Sequence, residues 1–158
     1  MTEAAPSTPA TEALAASGLD HQVTRHGMVR SLEEAAAARG VAPADIIKTM
    51  VVRRGEGDYL FVLVPGDRTI SWPKLRTLLG VNRLSMPDAA RAKEVTGYER
   101  GTITPFGASH PWPVVADERL RGHAVSIGGG AHGVAATLDG DALIEHTGAQ
   151  VADVTEPA

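Results

Sequence analysis

Apolar and polar positions along the chain follow two periods, and together they predict an α+β fold. Apolar runs rich in β-branched residues predict strands over 49–54 and 59–64, and the sequence 55–58 between them, Gly-Glu-Gly-Asp, is typical of a hairpin turn. Similar runs predict strands over 21–26, 113–116, 123–127 and 134–138. Strands that arrive as hairpins, without regular strand–helix alternation, favour a mixed, largely antiparallel sheet, which we expect to curl into a barrel-like form.

Short helices are predicted around this sheet from their capping residues. Ser31 and Glu34 have the spacing of a capping box, and Gly40 follows the alanine-rich run as a C-terminal stop. A helical turn over 43–47 then leads into the first strand of the hairpin. By the same signals, we expect further helices over 11–17, 73–80, 85–97 and 141–146.

One lysine, Lys48, stands inside the apolar run 46–52, which has the length and β-branched content of the start of a buried strand. An ammonium group there either reaches water along its aliphatic stem or lies against a negative or carbonyl-bearing group. The first alternative gives Lys48 no binding role, and the second makes it a ligand-binding cation. The pattern of this run, taken alone, favours the first alternative.

Length and composition are those of one domain with its own core. The 158 residues carry a net charge of −4, aromatic residues make up 4%, and cysteine is absent. Disulfides, thiolate–zinc sites and a cysteine nucleophile are therefore excluded, and a base-stacking platform is disfavoured. The charge also argues against bulk electrostatic binding to nucleic acid, although Arg53-Arg54 and Arg119 with Arg121 are local basic clusters.

We expect residues 1–10 to form a disordered N-terminal tail and residues 11–155 to form the single domain. Residues 1–9 lack the basic and apolar regions of a secretory signal, and no apolar stretch approaches the ~20 residues of a membrane span. A cytoplasmic protein without a membrane partner is therefore the expectation.

A glycine-rich loop over 128–133 formally matches the dinucleotide-binding pattern G-x-G-x-x-G. That mechanism needs a helix directly after the glycines, whereas residues 134–138 predict a strand. A flexible turn between two strands is the better interpretation, because glycine permits a positive φ and a close approach of ligand to backbone. Such a loop can donate N–H groups to an oxygen, as an oxyanion hole does.

Other catalytic patterns are weak or absent in the sequence. The six histidines form neither H-x-H nor H-E-x-x-H, so we predict no metal and no cofactor. Ser126 lies beside the glycine loop but outside a G-x-S-x-G elbow, which favours hydrogen bonding to a ligand over nucleophilic attack. The stretch 96–107, dense in glycine, proline and hydroxyl residues, is either an ordinary surface loop or a functional one.

Four groups of residues carry a family resemblance. They are Lys48-Thr49 after a helical turn; Thr96-Gly97-Tyr98 with Gly101 and Thr104-Pro105-Phe106-Gly107; Pro113-Val114-Val115-Ala116-Asp117; and Val125-Ser126 with the glycine loop. In this order and spacing, over residues 18–153, they resemble the YbaK/prolyl-tRNA-synthetase-associated editing domain family. The resemblance implies a barrel-like mixed sheet ringed by helices, and hydrolysis of the ester between a wrong amino acid and its tRNA.

The resemblance also implies the site and the partners. Lys48 corresponds to the lysine that binds the substrate near the terminal adenosine, and Gly101 joins it as a catalytic residue. The expected partners are mischarged tRNA, gripped at its acceptor end, and a prolyl-tRNA synthetase or an elongation factor; no DNA is expected. The expected substrates carry cysteine, alanine or serine, with tRNA for proline as the leading carrier. The expected substrate-binding residues are Thr49, Tyr98, Pro105, Phe106, Gly107, Ser126, Gly128, Gly129 and Gly130.

Two differences from YbaK-type members indicate an altered amino-acid pocket. The loop from Ser126 to Gly133 is longer, and Val134 and Ala135 are apolar where some members carry a carboxylate. They keep a second hypothesis open, in which the chain is a non-catalytic, ligand-binding or synthetase-associated module of the same fold.

Overall fold

A computed structural model describes residues 7–158, and its helices end at the glycines that the sequence marks as stops. Each of the five helices is followed by a glycine with φ between 64° and 82°, a left-handed conformation that terminates a helix. At the start of α2, Ser31 Oγ accepts a hydrogen bond from the Glu34 N–H at 3.0 Å. The helices are α1 (Pro9–Ser17), α2 (Leu32–Arg39), α3 (Trp72–Leu79), α4 (Ala89–Thr96) and α5 (Gly140–Thr147).

Helix α1 begins earlier than predicted, so the domain includes part of the expected tail. Thr8 is buried, and its side chain accepts a hydrogen bond from the Thr11 N–H at 3.0 Å as the N-cap. Pro9 then occupies the first helical position, where its missing N–H leaves no bond unmade. Residues 1–6 of the predicted tail lie outside the described residues.

The strands form three sheets, and the predicted mixed, largely antiparallel architecture is confirmed. Their orders are β1-β7-β6, β2-β3-β5-β8 and β4-β9, and the pairs β3–β5 and β5–β8 are parallel while the others are antiparallel. A parallel bridge between Ile46 and Ser126 joins the first two sheets, which gives the fold its barrel-like continuity. The strands are β1 (His21–Arg25), β2 (Ile47–Gly55), β3 (Asp58–Pro65), β4 (Arg68–Ile70), β5 (Val114–Asp117), β6 (Ala124–Gly128), β7 (Val134–Asp139), β8 (Gln150–Ala152) and β9 (Thr155–Pro157).

The hairpin of β2 and β3 has a core on each of its faces. Phe61 and Leu63 point into a large cluster with β6, β7, α1 and α5, whereas Leu60 and Val62 point into a second cluster with α3 and Val115 of β5. This alternation follows the two-residue period of a strand. Because both faces of the hairpin are covered, a ligand can reach β2 only along its outer edge. None of the helices described over residues 7–158 has the length and apolarity needed to cross a bilayer.

Candidate functional site

A cavity of about 270 Å³ opens along the outer edge of β2. Its walls come from the first half of β2, the end of α2, the start of α4 with the segment before it, the loop 100–103 and the end of β6. Most of the lining side chains are apolar, and the exceptions include three cations, Arg39, Lys48 and Arg100. Of the predicted site residues, this cavity brings together Lys48, Thr49, Gly101 and Gly128.

Among the described residues, no strand pairs with the stretch of β2 backbone that faces this cavity. Arg53 exchanges both backbone hydrogen bonds with Ser85, at 2.7 and 3.0 Å, so its N–H and C=O point away from β3. Because these directions alternate along a strand, the N–H and C=O groups of Thr49 and Val51 point the same way. Both residues line the cavity, and Thr49 Oγ1 is buried without a hydrogen-bond partner in the described part of the chain. A ligand here meets both donors and acceptors.

Lys48 combines features of both interpretations of its sequence position. Its side chain is exposed and lines the cavity, and Nζ donates to the carbonyl oxygen of Arg68 in β4 at 2.7 Å. Partial burial lowers the pKa of the Lys48 ammonium, and the charge of Asp67 acts in the opposite direction. One carbonyl occupies one of three N–H donors, so the ammonium keeps donors for a ligand.

Arg39 is the functional candidate that the sequence did not reveal. As the last residue of α2, it is a basic residue where helix ends commonly carry one. In the structure its guanidinium lines the cavity and donates from Nη1 to Ser126 Oγ at 3.4 Å, while Nε is buried without a partner in the described chain. Burial lowers the pKa of Arg39, and no carboxylate among residues 7–158 opposes this shift. A desolvated cation without a counter-charge is suited to an anionic ligand.

Ser126 supports this arginine from the floor of the site. The residue is fully buried in β6, and it bridges to Ile46 at the point where the two main sheets meet. Its hydroxyl accepts the Arg39 hydrogen bond and does not line the cavity itself. Ser126 is therefore connected to the cavity through the guanidinium of Arg39, and its contact with a ligand stays a prediction.

The glycine loop is used differently from the prediction of an oxyanion hole. The Gly129 N–H donates to the Val134 carbonyl at 2.8 Å, and the Gly130 N–H donates to the Thr102 carbonyl at 3.1 Å. Both donors are therefore already bonded within the protein and are not available to a substrate. A Cβ on Gly128 would lie 3.3 Å from the same Thr102 carbonyl, so the loop is closely packed as well.

Gly101 offers the donor that the glycine loop does not. Its φ is +88°, and a hydrogen bond from its N–H is absent among the described residues. The ring of His132 lies beside it, 3.7 Å from the position that a Cβ on Gly101 would take. His132 itself is exposed, and its Nε2 lies 3.6 Å from a carboxylate oxygen of Glu99.

The stretch 105–107 lies in a different place from the one predicted. A separate cavity is lined by Pro105, Phe106 and Gly107, together with Trp112 and His146. The ring of Phe106 stacks on the ring of His146, with centroids 5.4 Å apart. Gly107 lies against the start of α1, where the backbone leaves no room for a side chain. None of the three lines the cavity that holds Lys48, so their predicted place in that cleft is not seen, and their role in substrate binding stays a prediction.

Tyr98 is also part of the framework of the loop. It is only 3% exposed, and its hydroxyl donates to the Phe106 carbonyl at 2.6 Å. Burial raises the pKa of Tyr98 to about 12. The side chain therefore fixes the loop that carries Gly101 and does not line the cavity.

Among the residues that the structure describes, no three histidine, aspartate or glutamate side chains form a group that could hold a metal ion. The site thus combines an apolar cavity, an open strand edge and cations, features that suit an anionic, carbonyl-bearing ligand. Residues 26–146 match the family described as the aminoacyl-tRNA editing domain. The chain belongs to this family, and the resemblance seen in its motifs is confirmed.

Several relatives are similar to this chain, each over a different share of its own length. A proline–tRNA ligase of Bacillus licheniformis is 31% identical over 101 residues, which are 64% of this chain but 18% of that protein. The chain therefore spans about a fifth of such ligases. A candidate Cys-tRNA(Pro)/Cys-tRNA(Cys) deacylase of Enterococcus faecalis, EbsC, is 26% identical over 79% of this chain and 77% of its own. A solved structure of a candidate trans-editing enzyme for prolyl tRNA synthetase is 30% identical, with a TM-score of 0.84, and the alignment covers 94% of this chain and 95% of that one.

Proposed function

We propose that this protein is a trans-editing aminoacyl-tRNA deacylase that hydrolyses mischarged tRNA carrying a small amino acid. The observation that carries the proposal is the convergence of Lys48, Arg39 and the open edge of β2 on one cavity of an editing domain. The names of its relatives favour cysteine, and tRNA for proline, as the amino acid and carrier. A prolyl-tRNA synthetase or an elongation factor would then deliver the tRNA.

The geometry suits an aminoacyl ester better than a more stable bond. An ester of this kind is already activated, so positioning and charge stabilisation suffice for its hydrolysis. The cations Lys48 and Arg39 would hold the phosphate and ribose end, and the Gly101 N–H would donate to the carbonyl oxygen as negative charge develops on it. The unpaired backbone at Thr49 and Val51 would bind the amino group through C=O acceptors.

The described cavity lining contains no cysteine, serine or carboxylate that could attack the ester. We assign the attack to a water molecule or, in a cysteinyl ester, to the substrate's own thiol. Either nucleophile adds to the carbonyl carbon, and the ester bond to the terminal ribose then breaks with return of a proton to the ribose oxygen. The protein's part is to orient the ester and to stabilise the oxyanion.

The size of the lining indicates which amino acids enter. Four residues of the cavity wall, Ala89, Ala92, Gly101 and Gly128, have small side chains or none. Small amino acids fit such a wall, while large ones are excluded by contact. Cysteine, alanine and serine differ by little more than one heavy atom, for which a pocket discriminates by roughly 10–200-fold.

Deacylation of a panel of aminoacyl-tRNAs tests this proposal. Cysteinyl-, alanyl-, seryl-, prolyl- and phenylalanyl-tRNA for proline are incubated with the same preparation, with and without EDTA. We expect hydrolysis of one or more of the first three, little hydrolysis of the last two, and no effect of EDTA. Preference for phenylalanine would contradict the small pocket. Absence of hydrolysis across the panel would favour the non-catalytic module instead.

A further inference from the structure

A second cleft beside the first collects four arginines. Arg53 and Arg54 reach it from the end of β2, Arg76 from α3, and Arg83 from the segment that follows α3. Arg54 is paired with Asp58, with Nε and a carboxylate oxygen 3.0 Å apart. This concentration of cations is unexpected in a chain whose net charge is −4.

Three of these arginines keep their charge uncompensated. Among residues 7–158, the ion pairs of arginine side chains involve Arg54, Arg91, Arg119 and Arg121, and none involves Arg53, Arg76 or Arg83. Glu56 and Asp58 lie on the adjoining hairpin turn, and the latter is already engaged by Arg54. The cleft therefore contains three guanidinium groups that form no ion pair within the described part of the chain.

The arginine cleft is fixed relative to the deacylation cavity. Both lie along β2, the cavity at residues 46–51 and the cleft at 53–54. The segment between α3 and α4 borders both, with Asn82, Leu84 and Ser85 on the cleft and Met86 and Pro87 on the cavity. The paired backbone hydrogen bonds of Arg53 and Ser85 lie between the two sites, which are therefore neighbours along a strand that rises about 3.3 Å per residue.

We propose that this arginine cleft binds the phosphodiester backbone of the tRNA acceptor stem while the aminoacyl end occupies the cavity. Guanidinium groups match phosphate oxygens in a bidentate manner, and such contacts position a nucleic acid without reading its sequence. The local cluster of arginines also explains how a protein with a negative net charge can bind an RNA. The arginine cleft binds only the acceptor end of the tRNA. The inference rests on the proposed function for its ligand, but its test does not require deacylation.

The test measures binding of fluorescein-labelled, uncharged tRNA for proline to the full chain as a function of salt. The triple variant Arg53→Gln, Arg76→Gln, Arg83→Gln should weaken binding at least about tenfold near 0.1 M salt, since phosphate contacts release condensed counterions. The slope of log K against log salt should fall in magnitude by roughly 2 to 3. The variant Arg53→Lys, Arg76→Lys, Arg83→Lys should keep most of that slope, because the charge is retained.

A matched control removes the same number of charges elsewhere. Lys74→Gln, Arg91→Gln and Arg121→Gln together delete three cations that are each already paired with a carboxylate. This control should bind tRNA with nearly the wild-type slope. If the cleft variant melts early, the single variant Arg83→Gln, on an exposed residue, should still lower the slope by about 1.

Three outcomes would overturn the inference: an unchanged salt slope in the cleft variant, an equal loss in the control, or competition by polyglutamate as effective as that by unlabelled tRNA. The last would make the cleft a site for acidic protein. Because uncharged tRNA is the probe, a chain that binds it through the cleft but hydrolyses no ester would sustain this inference and contradict only the proposed function.

Discussion

Arg39 has a charge that no carboxylate among residues 7–158 neutralises. A cation desolvated without a counter-ion lowers the stability of a fold, whereas an apolar side chain of similar length avoids that penalty. We expect Arg39→Met to leave the melting temperature unchanged or to raise it, while kcat/KM for deacylation falls at least about tenfold. A thermal melt and a deacylation assay on the same sample measure both. A variant that melts well below the wild type would show that the guanidinium is structural.

Lys48 should separate activity from stability in a similar way. Its hydrogen bond to the Arg68 carbonyl lies at an exposed side chain, so Lys48→Ala should move the melting temperature by only a few degrees. Deacylation should nevertheless be largely lost if the ammonium positions the substrate as proposed. Lys48→Arg should restore little, since a planar guanidinium does not replace a compact ammonium. Full activity in a folded Lys48→Ala protein would refute the assignment.

The buried phenol of Tyr98 should make the stability of the fold depend on pH in the alkaline range. Its pKa is raised by burial to about 12, so the neutral phenol stabilises the fold fully below the ordinary pKa of 10.0, and this stabilisation is lost as the pH rises to about 12. The loss amounts to about 2 kcal/mol by pH 12. Urea unfolding at pH 9 and above, compared between wild type and Tyr98→Phe, should show a smaller decline in the variant. Parallel curves would contradict this role.

At the level of elements, two glycines of one loop should respond differently to alanine. A Cβ on Gly107 would overlap the Pro9 carbonyl oxygen, at a φ of +66°, so Gly107→Ala should destabilise the fold by more than about 2 kcal/mol. Gly101, at φ +88°, has its nearest neighbour at 3.7 Å. Gly101→Ala should therefore cost about 1–2 kcal/mol in stability and most of the activity. Urea unfolding and deacylation assays on both variants distinguish a structural glycine from one that lines the site.

The sequence predicts those helices and strands whose formation depends on residues within the element itself or next to it. The β2–β3 hairpin and α2 follow from β-branched runs, turn residues and a cap, all within a few residues. Strands β4, β8 and β9 were not predicted, because each has three residues and exists only through pairing with a distant segment. The open edge of β2 also depends on a distant segment, because the backbone hydrogen bonds between Arg53 and Ser85 set the point from which the edge is unpaired.

The errors within the candidate site have a related physical cause. Glycine and proline mark a loop, but they do not show which face of the domain each residue of that loop will line. Gly101 and Gly107 are six residues apart, and they lie at different cavities because Tyr98 and the start of α1 hold the second half of the loop. Arg39 was missed because its contact with Ser126 of β6 joins residues that are distant in sequence.

In the molecule as a whole, the C-terminal segment connects the binding site to the core. Fully buried Asp117 accepts hydrogen bonds from the Val154 N–H and the Thr155 hydroxyl. Strand β9 pairs with β4, and the Arg68 carbonyl of β4 accepts the hydrogen bond from Lys48 Nζ. Hydrogen bonds from Lys74 and then Arg119 lower the pKa of neighbouring Asp153 to about 2. The contribution of Asp153 to the free energy of unfolding is therefore present above the ordinary carboxyl pKa and is lost only as the pH falls toward 2.

Thr155 lies at the centre of this network, which predicts that a single hydroxyl there is worth more than its size suggests. Its Oγ1 donates to Asp117 at 2.8 Å and accepts from Arg68 Nε at 2.7 Å, in a fully buried position. Thr155→Val keeps the shape of the side chain, removes the acceptor of Arg68 Nε and takes one of its donors from the buried Asp117 carboxylate, so unfolding free energy should fall by about 1–3 kcal/mol. The exposed Thr69→Val in β4 is the matched control and should stay within about 0.5 kcal/mol. Equal effects of the two substitutions in urea unfolding would show that the C-terminal strand is held by its backbone pairing alone, without the Asp117 network.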